Sequence, residues 1–452
     1  MSSEIQLLLT VLSGITILLL LIIKVRLNAF ISLLIASIWI GLLAGIAPIE
    51  MMDVISKGMG DTLAFVATIV GLGTIFGAIL EHTGGAKQLS HYLVRKTGDR
   101  KARWAILFSG FIVSIPVFFD VAFIILFPVI KALSQKLKKP MLYFALPLIT
   151  GIALTHSFIP PTPGPVAVAD ILNVDLCWMI MLGIPVAIPV AIICGIFISR
   201  KLSFFTKDDQ SIGEDLSVQD EQQSNLVFVT HFAILLPLIL MVLNALLKTL
   251  LAENLIDSFP GVDYIIMIGH PFSALILATL FALYFLGRKV GLKRDDLFKI
   301  SNDALAPAGT IILITGAGGV LKQTLISTDV GTMIAHHMDG SSGSLLFLAF
   351  VVSAIVRILQ GSATIAMITG AGIVGPVLAF SPEIAMFDKT LIALSIAAGS
   401  IIASHVNDSG FWIINRFLKH EVTETLRSMT ILSTAISITA FAVLYIISLV
   451  FS

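Results

Sequence analysis

Long runs of apolar residues recur along almost the whole of this 452-residue chain. A helix of about 20 predominantly apolar residues spans the hydrocarbon core of a bilayer, which is roughly 30 Å thick. Because 57% of the residues are hydrophobic and only 12% are charged, a water-soluble fold of this length is excluded. The sequence therefore predicts an all-α polytopic membrane protein. The apolar segments lie near residues 5–23, 28–47, 62–80, 104–130, 141–158 and 177–199, and then near 227–251, 262–286, 306–326, 344–380, 388–405 and 428–451.

Other bulk features narrow the function. The first segment, residues 5–23, is interpreted as a retained helix, because no basic region precedes it and no A-x-A-like cleavage site follows it. Cys177 and Cys194 have no C-x-x-C or Cys/His spacing, so we expect packing residues and neither a disulfide nor a metal site. The 28 basic and 28 acidic residues cancel, which argues against nucleic acid as a partner. We expect no cofactor.

The second half of the chain repeats the order of segments in the first half. We predict an N-terminal repeat (1–200), a polar linker (201–226) and a C-terminal repeat (227–452). In each half the fourth segment is long and interrupted by proline or glycine, and the fifth ends in a polar break that contains a histidine, His156 or His405. Interrupted segments at corresponding positions indicate the binding site of a transporter.

The distribution of lysine and arginine predicts the topology. If the fourth segment of each half is a re-entrant hairpin, most basic residues fall on the cytoplasmic side, as the positive-inside rule requires. A full crossing there would separate Lys131–Lys139 from Arg95–Arg103. We therefore predict two inverted repeats, each with five crossings, one re-entrant hairpin and one broken helix. The linker would be cytoplasmic, and both termini would lie in the periplasm of a bacterial inner membrane.

Four breaks interrupt the apolar segments at membrane depth, where unpaired backbone is costly unless it lines a cavity. Each break exposes helix ends, and helix N-termini are positive and suited to a carboxylate. The breaks are SIPVFFD (114–120) and QGSAT (360–364) in the hairpins, and THSFIPPTPGP (155–165) and SHVNDSG (404–410) after the fifth segments.

Five motifs carry a resemblance over almost the whole length of the chain: IPVFFDVAF (115–123), HSFIPPTPGP (156–165), ITGAGG (314–319), RILQGSATIA (357–366) and SHVNDSGFW (404–412). The chain resembles the gluconate:proton symporter (gluconate permease) family of the ion transporter superfamily. The resemblance implies proton-coupled uptake of gluconate or a related sugar acid, paired hairpins with unwound helices, and a homodimer. Relatives that use sodium carry Ser-Asn-Thr at both hairpin tips, and this chain does not, which argues against sodium coupling.

Asp120 is the leading candidate for the group that carries the proton. It lies in an apolar run, where burial favours the neutral form of an acid, although it could instead pair with a basic residue. Asp408 is its rival in the second half. His156 and His405 are candidate members of a proton relay or partners for substrate hydroxyls, the alternative being packed histidines.

Arg357 lies at membrane depth and needs an anionic partner. A guanidinium fits a carboxylate bidentately, so the partner could be the substrate, or an internal pair with Asp120 or Asp408. Asn407 and its serine neighbours could bind a polyol, or Asp408 and Asn407 could simply cap a helix. The full set of candidate substrate-binding residues is Arg357, Gln360, Ser362, Thr364, Ser157, Thr162, Gly164, Ser404, Asn407 and Ser409.

Two further patterns are interpreted as structural. Pro160, Pro161, Pro163 and Pro165 would hold their break open. The glycine clusters at 71–73 and 316–319 lack the spacing of a phosphate-binding loop and predict close helix packing.

The alternatives to sugar-acid transport remain open to different degrees. The same fold could carry another small carboxylate, such as a hydroxy acid or a D-amino acid. An intramembrane enzyme is disfavoured because the chain has no H-E-x-x-H or G-x-S-x-G motif. An ion channel is disfavoured because the predicted repeat is inverted rather than rotational.

Overall fold

A computed structural model describes residues 3–203, 224–252, 256–328, 342–379 and 384–451. Within these residues every regular element is helical. Seven helical stretches are long and apolar enough to cross a membrane: Pro48–His82, Met141–Leu172, Leu176–Leu202, Val227–Lys248, Pro271–Lys289, Arg294–Ser327 and Val422–Phe451. Shorter apolar helices accompany them, so the predicted all-α, multi-pass membrane fold is confirmed.

The described residues of the first half contain ten α-helices. They are α1 (Ser3–Ile23), α2 (Ala29–Leu43), α3 (Pro48–His82), α4 (Gly85–Thr97), α5 (Ala102–Val113), α6 (Phe119–Leu137), α7 (Met141–Phe158), α8 (Pro163–Leu172), α9 (Leu176–Ile192) and, after a π-helical turn, α10 (Ser199–Leu202).

The described residues of the second half contain eleven more. They are α11 (Ser224–Ala252), α12 (Val262–Gly269), α13 (Pro271–Phe281), α14 (Gly287–Lys289), α15 (Arg294–Ser327), α16 (Ser342–Gln360), α17 (Ala363–Ala379), α18 (Met386–Gly399), α19 (Ser409–Leu418), α20 (Val422–Thr425) and α21 (Ile431–Phe451).

The order of elements recurs between the halves. The long helices α3 and α15 have 35 and 34 residues, and each precedes an interrupted pair of helices and then a broken helix. This order agrees with the predicted repeat. The inversion of the repeats, their boundaries and the re-entrant hairpins stay predictions.

Several helices begin or end at residues other than those of the predicted apolar segments, because capping and proline determine where a helix begins and ends. α3 begins at Pro48 rather than near residue 62, since proline suits the first turn of a helix. α15 begins at Arg294, where the Asp296 side chain accepts a hydrogen bond from the Lys293 backbone N–H at 3.0 Å. The predicted segment 262–286 is divided at His270 and Pro271, because the proline has no backbone N–H to continue the first helix.

Two predicted loops lie largely outside the described residues. Of the linker 201–226, residues 204–223 are outside, and α11 already begins at Ser224. Of the predicted periplasmic loop from Thr328 to Ser342, residues 329–341 are outside.

Close backbone contacts between α3 and α15 hold the two long helices together. A Cβ atom on Gly58 would lie 2.7 Å from the carbonyl oxygen of Gly319, and one on Gly319 would lie 2.1 Å from the Thr62 hydroxyl oxygen. The predicted packing role of the 316–319 cluster is therefore confirmed. Cys177 and Cys194 are both buried, which agrees with their predicted packing role.

Candidate functional site

Helix breaks occur at all four places that the sequence indicated. α5 ends at Val113 before α6 begins at Phe119, and α16 ends at Gln360 before α17 begins at Ala363. α7 and α8 are separated by residues 159–162, and α18 and α19 by residues 400–408. The N-termini of α6, α8, α17 and α19 therefore all lie at these breaks.

The tip between α16 and α17 depends on Gly361. Its φ angle is +88°, and a Cβ atom there would lie 2.2 Å from the carbonyl oxygen of Asn407. A side chain at this position would be strained and would push the two breaks apart. The Gln360 side chain accepts a hydrogen bond from the Ser362 N–H at 3.3 Å, and the Ser362 hydroxyl accepts one from the Ile365 N–H at 3.4 Å. Gln360 and Ser362 thus shape the start of α17.

Arg357 is paired inside the protein. Its side chain is only 6% exposed, and Nη2 lies 2.5 Å from Oδ2 of Asp408. Nη1 donates a hydrogen bond to the carbonyl oxygen of Gly361, and the Ser404 hydroxyl donates one to the same Asp408 oxygen. Of the internal partners that the sequence allowed, Asp408 rather than Asp120 is the one in contact. The other oxygen of Asp408, Oδ1, accepts from the Gly410 N–H at 3.0 Å and caps α19.

The remaining polar residues of this break tie it to α16. The His405 Nε2 atom lies 3.0 Å from the carbonyl oxygen of Ile358, and the Asn407 amide donates to the same oxygen at 2.9 Å. Carbonyl groups in the last turn of a helix have no partner within the helix, so these two side chains satisfy one of them.

Asp120 lies in the first turn of α6, next to the break between α18 and α19. Its Oδ2 atom accepts a hydrogen bond from the Ser409 hydroxyl at 3.3 Å. A Cβ atom on Gly410 would lie 2.8 Å from the ring of Phe119, so the starts of α6 and α19 are in contact. Asp120 is also within electrostatic reach of Asp408, which places two carboxylates near one guanidinium.

His156 faces the same region from α7. Its ring meets Phe119 edge-on, with ring centroids 6.5 Å apart, and lies within electrostatic reach of Arg357 and Asp408. Nδ1 of His156 is buried and lacks a hydrogen-bond partner among the described residues, and the same is true of Nε of Arg357. Buried polar atoms are almost always hydrogen-bonded, so this pair of atoms indicates a place for a ligand or water.

The first half of the chain contacts α17 near the break between α7 and α8. The Thr162 hydroxyl donates to the carbonyl oxygens of Ile159 and His156 at 2.7 and 3.0 Å, which folds the break back on itself. A Cβ atom on Gly164 would lie 2.1 Å from the Met367 side chain and 3.9 Å from the Cα atom of Thr364. Ser157 is buried in the same break. The starts of α8 and α17 are thus in contact.

A small recess lies between α3 and the two breaks of the first half. It is bounded by Val70, Gly73 and Thr74 of α3, by residues 115–118, and by residues 161–163. Gly77 allows this approach, because a Cβ atom there would lie 2.2 Å from the carbonyl oxygen of Pro116.

The structure brings most of the predicted site residues into one region. Contacts join the start of α6 to that of α19, the start of α8 to that of α17, and the tip between α16 and α17 to the break before α19. Arg357, His156 and the two carboxylates act on one another in this region. Among the described residues, no group of three or more His, Cys, Asp or Glu side chains is arranged to hold a metal ion. The arrangement is suited to an organic anion with hydroxyl groups.

Sequence reasoning missed a second group of charges formed by Asp61, Asp170 and Lys322. Lys322 is half-buried within α15. The signal was present, since Asp170 and Lys322 each interrupt an apolar run. Their proximity depends on how α3, α8 and α15 pack.

The chain is similar over its whole length to known transport proteins. The model of the GntP permease family matches residues 5–450. A gluconate permease of Pseudomonas aeruginosa is 35% identical and is covered over 99% of its length by 100% of this chain. The low-affinity gluconate transporter of Escherichia coli is 35% identical, with 96% of each protein covered. The Gnt-II system L-idonate transporter of Escherichia coli is 33% identical, with 94% of this chain and 95% of the relative covered.

A solved structure has a similar fold. The YdaH transporter of Alcanivorax borkumensis matches with a TM-score of 0.63 over 89% of each chain, at 17% sequence identity. At this identity the likeness establishes the fold alone.

Proposed function

Because this chain belongs to the GntP family of permeases, we propose that it takes up gluconate or a closely related sugar acid together with protons. The observation that carries the proposal is the pair of unpartnered buried atoms, Nε of Arg357 and Nδ1 of His156, in a region where four helix N-termini meet. A guanidinium and positive helix ends stabilise a carboxylate. Hydroxyl and amide side chains nearby suit the hydroxyl groups of a sugar acid.

Charge balance supports coupling to a proton. In the substrate-free site, Arg357 is balanced by Asp408, and the second carboxylate, Asp120, lies nearby. A substrate carboxylate that replaces Asp408 as the partner of Arg357 places three negative charges beside one positive charge. A proton on Asp120 removes one of them, so binding of the substrate and binding of the proton favour each other. Asp408, His156 and His405 are the alternative carriers.

Topology and assembly complete the proposal. We infer a bacterial inner-membrane location with both termini in the periplasm, two inverted repeats (1–200 and 227–452) joined by a cytoplasmic linker, and a homodimer. The re-entrant pairs α5/α6 and α16/α17 would deliver their tips to the site from opposite faces. The distribution of basic residues supports this orientation.

One relative is named an L-idonate transporter, and L-idonate is also a sugar acid, so that name supports the sugar-acid class as a whole rather than gluconate alone. The alternative is another small carboxylate, such as a hydroxy acid or a D-amino acid. The features on which the proposal rests recognise a carboxylate and neighbouring hydroxyls, and they do not select one sugar acid.

Binding of candidate substrates to the purified protein tests the proposal. Thermal unfolding is followed in detergent with gluconate, L-idonate, a short hydroxy acid, a D-amino acid and the neutral amide of gluconate. We expect stabilisation by the sugar acids that grows with concentration, and none by the amide. Stabilisation by the D-amino acid alone would replace the proposed substrate class, and equal stabilisation by gluconate and its amide would contradict the role of Arg357.

A further inference from the structure

A strained turn lies within the break between α18 and α19, a few residues before Asp408. Ala403 has a φ angle of +46°, in the left-handed region that residues other than glycine rarely adopt. Such a conformation persists only where the surrounding contacts hold it. The next residue, Ser404, is 2% exposed, so its backbone N–H and C=O groups need partners inside the protein.

Two hydroxyl groups of the last long helical stretch are those partners. The Ser433 hydroxyl accepts a hydrogen bond from the Ser404 N–H at 2.9 Å, and the Thr430 hydroxyl donates one to the Ser404 carbonyl oxygen at 2.5 Å. The Ser433 hydroxyl also donates to the carbonyl oxygen of Thr430 at 3.1 Å. Thr430 and Ser433 therefore bind both backbone groups of Ser404, and we call this pair of side chains the hydroxyl clamp.

A π-helical turn places the hydroxyl clamp. Residues Leu426–Thr430 form this turn between α20 and α21, within the continuous stretch Val422–Phe451. Thr430 is the last residue of the turn, and Ser433 follows it by three residues, so the two hydroxyls lie on one face of the helix. π-helical turns of this kind occur frequently at functional sites.

Ser404 connects the hydroxyl clamp to the substrate site. Its own hydroxyl donates to Oδ2 of Asp408, the same oxygen that lies 2.5 Å from Nη2 of Arg357. Nη1 of Arg357 donates to the carbonyl oxygen of Gly361. With both ends of the guanidinium bound, its Nε atom, which has no hydrogen-bond partner among the described residues, is held in one orientation. The position of Ser404 therefore bears on the group that is proposed to bind the substrate carboxylate.

We propose that Thr430 and Ser433 are positioning residues for the substrate site, which hold the strained turn so that Asp408 orients Arg357 towards a substrate carboxylate. This inference rests on the proposed function. Loss of either hydroxyl leaves a buried backbone group of Ser404 without its partner, and the turn relaxes. Asp408 then holds the guanidinium less firmly, and the affinity for a sugar acid falls.

Thr430→Val tests the proposal, because valine has nearly the shape of threonine and lacks its hydroxyl. Gluconate is titrated calorimetrically into the purified full-length variant. The net contribution of one hydrogen bond corresponds to a factor of about three to ten in an equilibrium constant, so the dissociation constant for gluconate should rise by about that factor. Thr430→Ser keeps the hydroxyl and should bind gluconate as the wild type does.

Thr434→Val is the matched control. The Thr434 hydroxyl lies on the same helix and donates to the carbonyl oxygen of Thr430 at 2.7 Å, within the helix itself. This control loses a hydroxyl of the same kind, and its affinity for gluconate should stay close to that of the wild type. Equal losses of affinity in Thr430→Val and Thr434→Val, or none in Thr430→Val, would overturn the inference.

A double-mutant cycle separates positioning from a general loss of stability. Ser404→Ala removes the hydrogen bond to Asp408 and keeps the backbone groups that the hydroxyl clamp binds. If the clamp acts through Ser404, Thr430→Val should weaken gluconate binding much less in this background than in the wild type. Losses that simply multiply would mean that the two residues act independently, and the inference would be wrong. If Thr430→Val does not fold, Ser433→Ala replaces it in both experiments. If the wild type itself does not bind gluconate, the proposed function fails instead.

Discussion

Replacing Arg357 with lysine should reduce the affinity for a sugar acid far more than it reduces the stability of the folded protein. Lysine keeps the positive charge, but it lacks the planar fork and the Nε–H group that has no partner in the substrate-free site. The existing contacts, Nη2 with Asp408 at 2.5 Å and Nη1 with the carbonyl of Gly361, use the two ends of the fork. A single ammonium cannot reproduce this geometry.

The size of the effect follows from the contacts that are lost. A hydrogen bond to a charged group contributes about 1.5 to 3 kcal/mol. The substitution removes one such contact to the substrate carboxylate, so the dissociation constant for gluconate should rise roughly 10- to 100-fold. Because lysine keeps a positive charge beside Asp408, the loss of affinity should be smaller than for a substitution that removes the charge.

Isothermal titration of gluconate into the purified variant measures this change directly. Arg103→Lys is a matched control, because Arg103 is also buried, at 7% exposure, and binds Ser199 and the ring of Tyr143 away from the site. We expect the control to lower thermal stability while its affinity for gluconate stays close to that of the wild type. Equal affinity losses in the two variants, or none for Arg357→Lys, would refute the proposed contact with the substrate.

Three further predictions concern coupling, packing and topology. Asp120→Asn should lower steady-state accumulation of gluconate about tenfold per pH unit of imposed gradient and spare counterflow; an unchanged ratio would make Asp408 the leading candidate. Gly319→Ala should destabilise the protein by about 1 to 3 kcal/mol, seen as a lower thermal midpoint, because its Cβ atom would lie 2.1 Å from the Thr62 hydroxyl. Gly60→Ala is its control, as no atom lies within 4 Å of a Cβ atom there, and equal midpoints would contradict the packing argument. A cysteine that replaces exposed Lys57 should react with an impermeant thiol reagent in intact cells, whereas one that replaces exposed Lys96 should not. The reverse result would contradict the proposed topology.

The helix breaks could be predicted from sequence because their causes are local. Pro160 and Pro161 cannot donate the backbone hydrogen bonds that would continue α7, whereas Pro163 and Pro165 lie in the first turn of α8, where proline is tolerated. Gly361 permits the positive φ angle of the hairpin tip. The starts of α3 and α15 were missed for a related reason. Hydropathy measures solvent preference, whereas Pro48 and the cap by Asp296 determine where the helical hydrogen bonds begin.

The pairing of charges could not be derived from the sequence. Asp120 and Asp408 were both possible partners of Arg357, and the choice between them depends on how the break after α18 folds beside the hairpin tip. Asp170 and Lys322 were missed because they come together only when α8 packs across α3 and α15. Tertiary packing decides both outcomes, and local patterns carry no information about it.

Steady-state accumulation of labelled gluconate in proteoliposomes tests the central claim most directly. With acid outside, alkali inside and the voltage clamped, proton symport requires the wild type to concentrate gluconate inside by a factor of about ten or more per pH unit, and a protonophore should abolish the gradient of gluconate. Uptake that only equalises the two sides, or that follows a sodium gradient while ignoring the pH gradient, would contradict it.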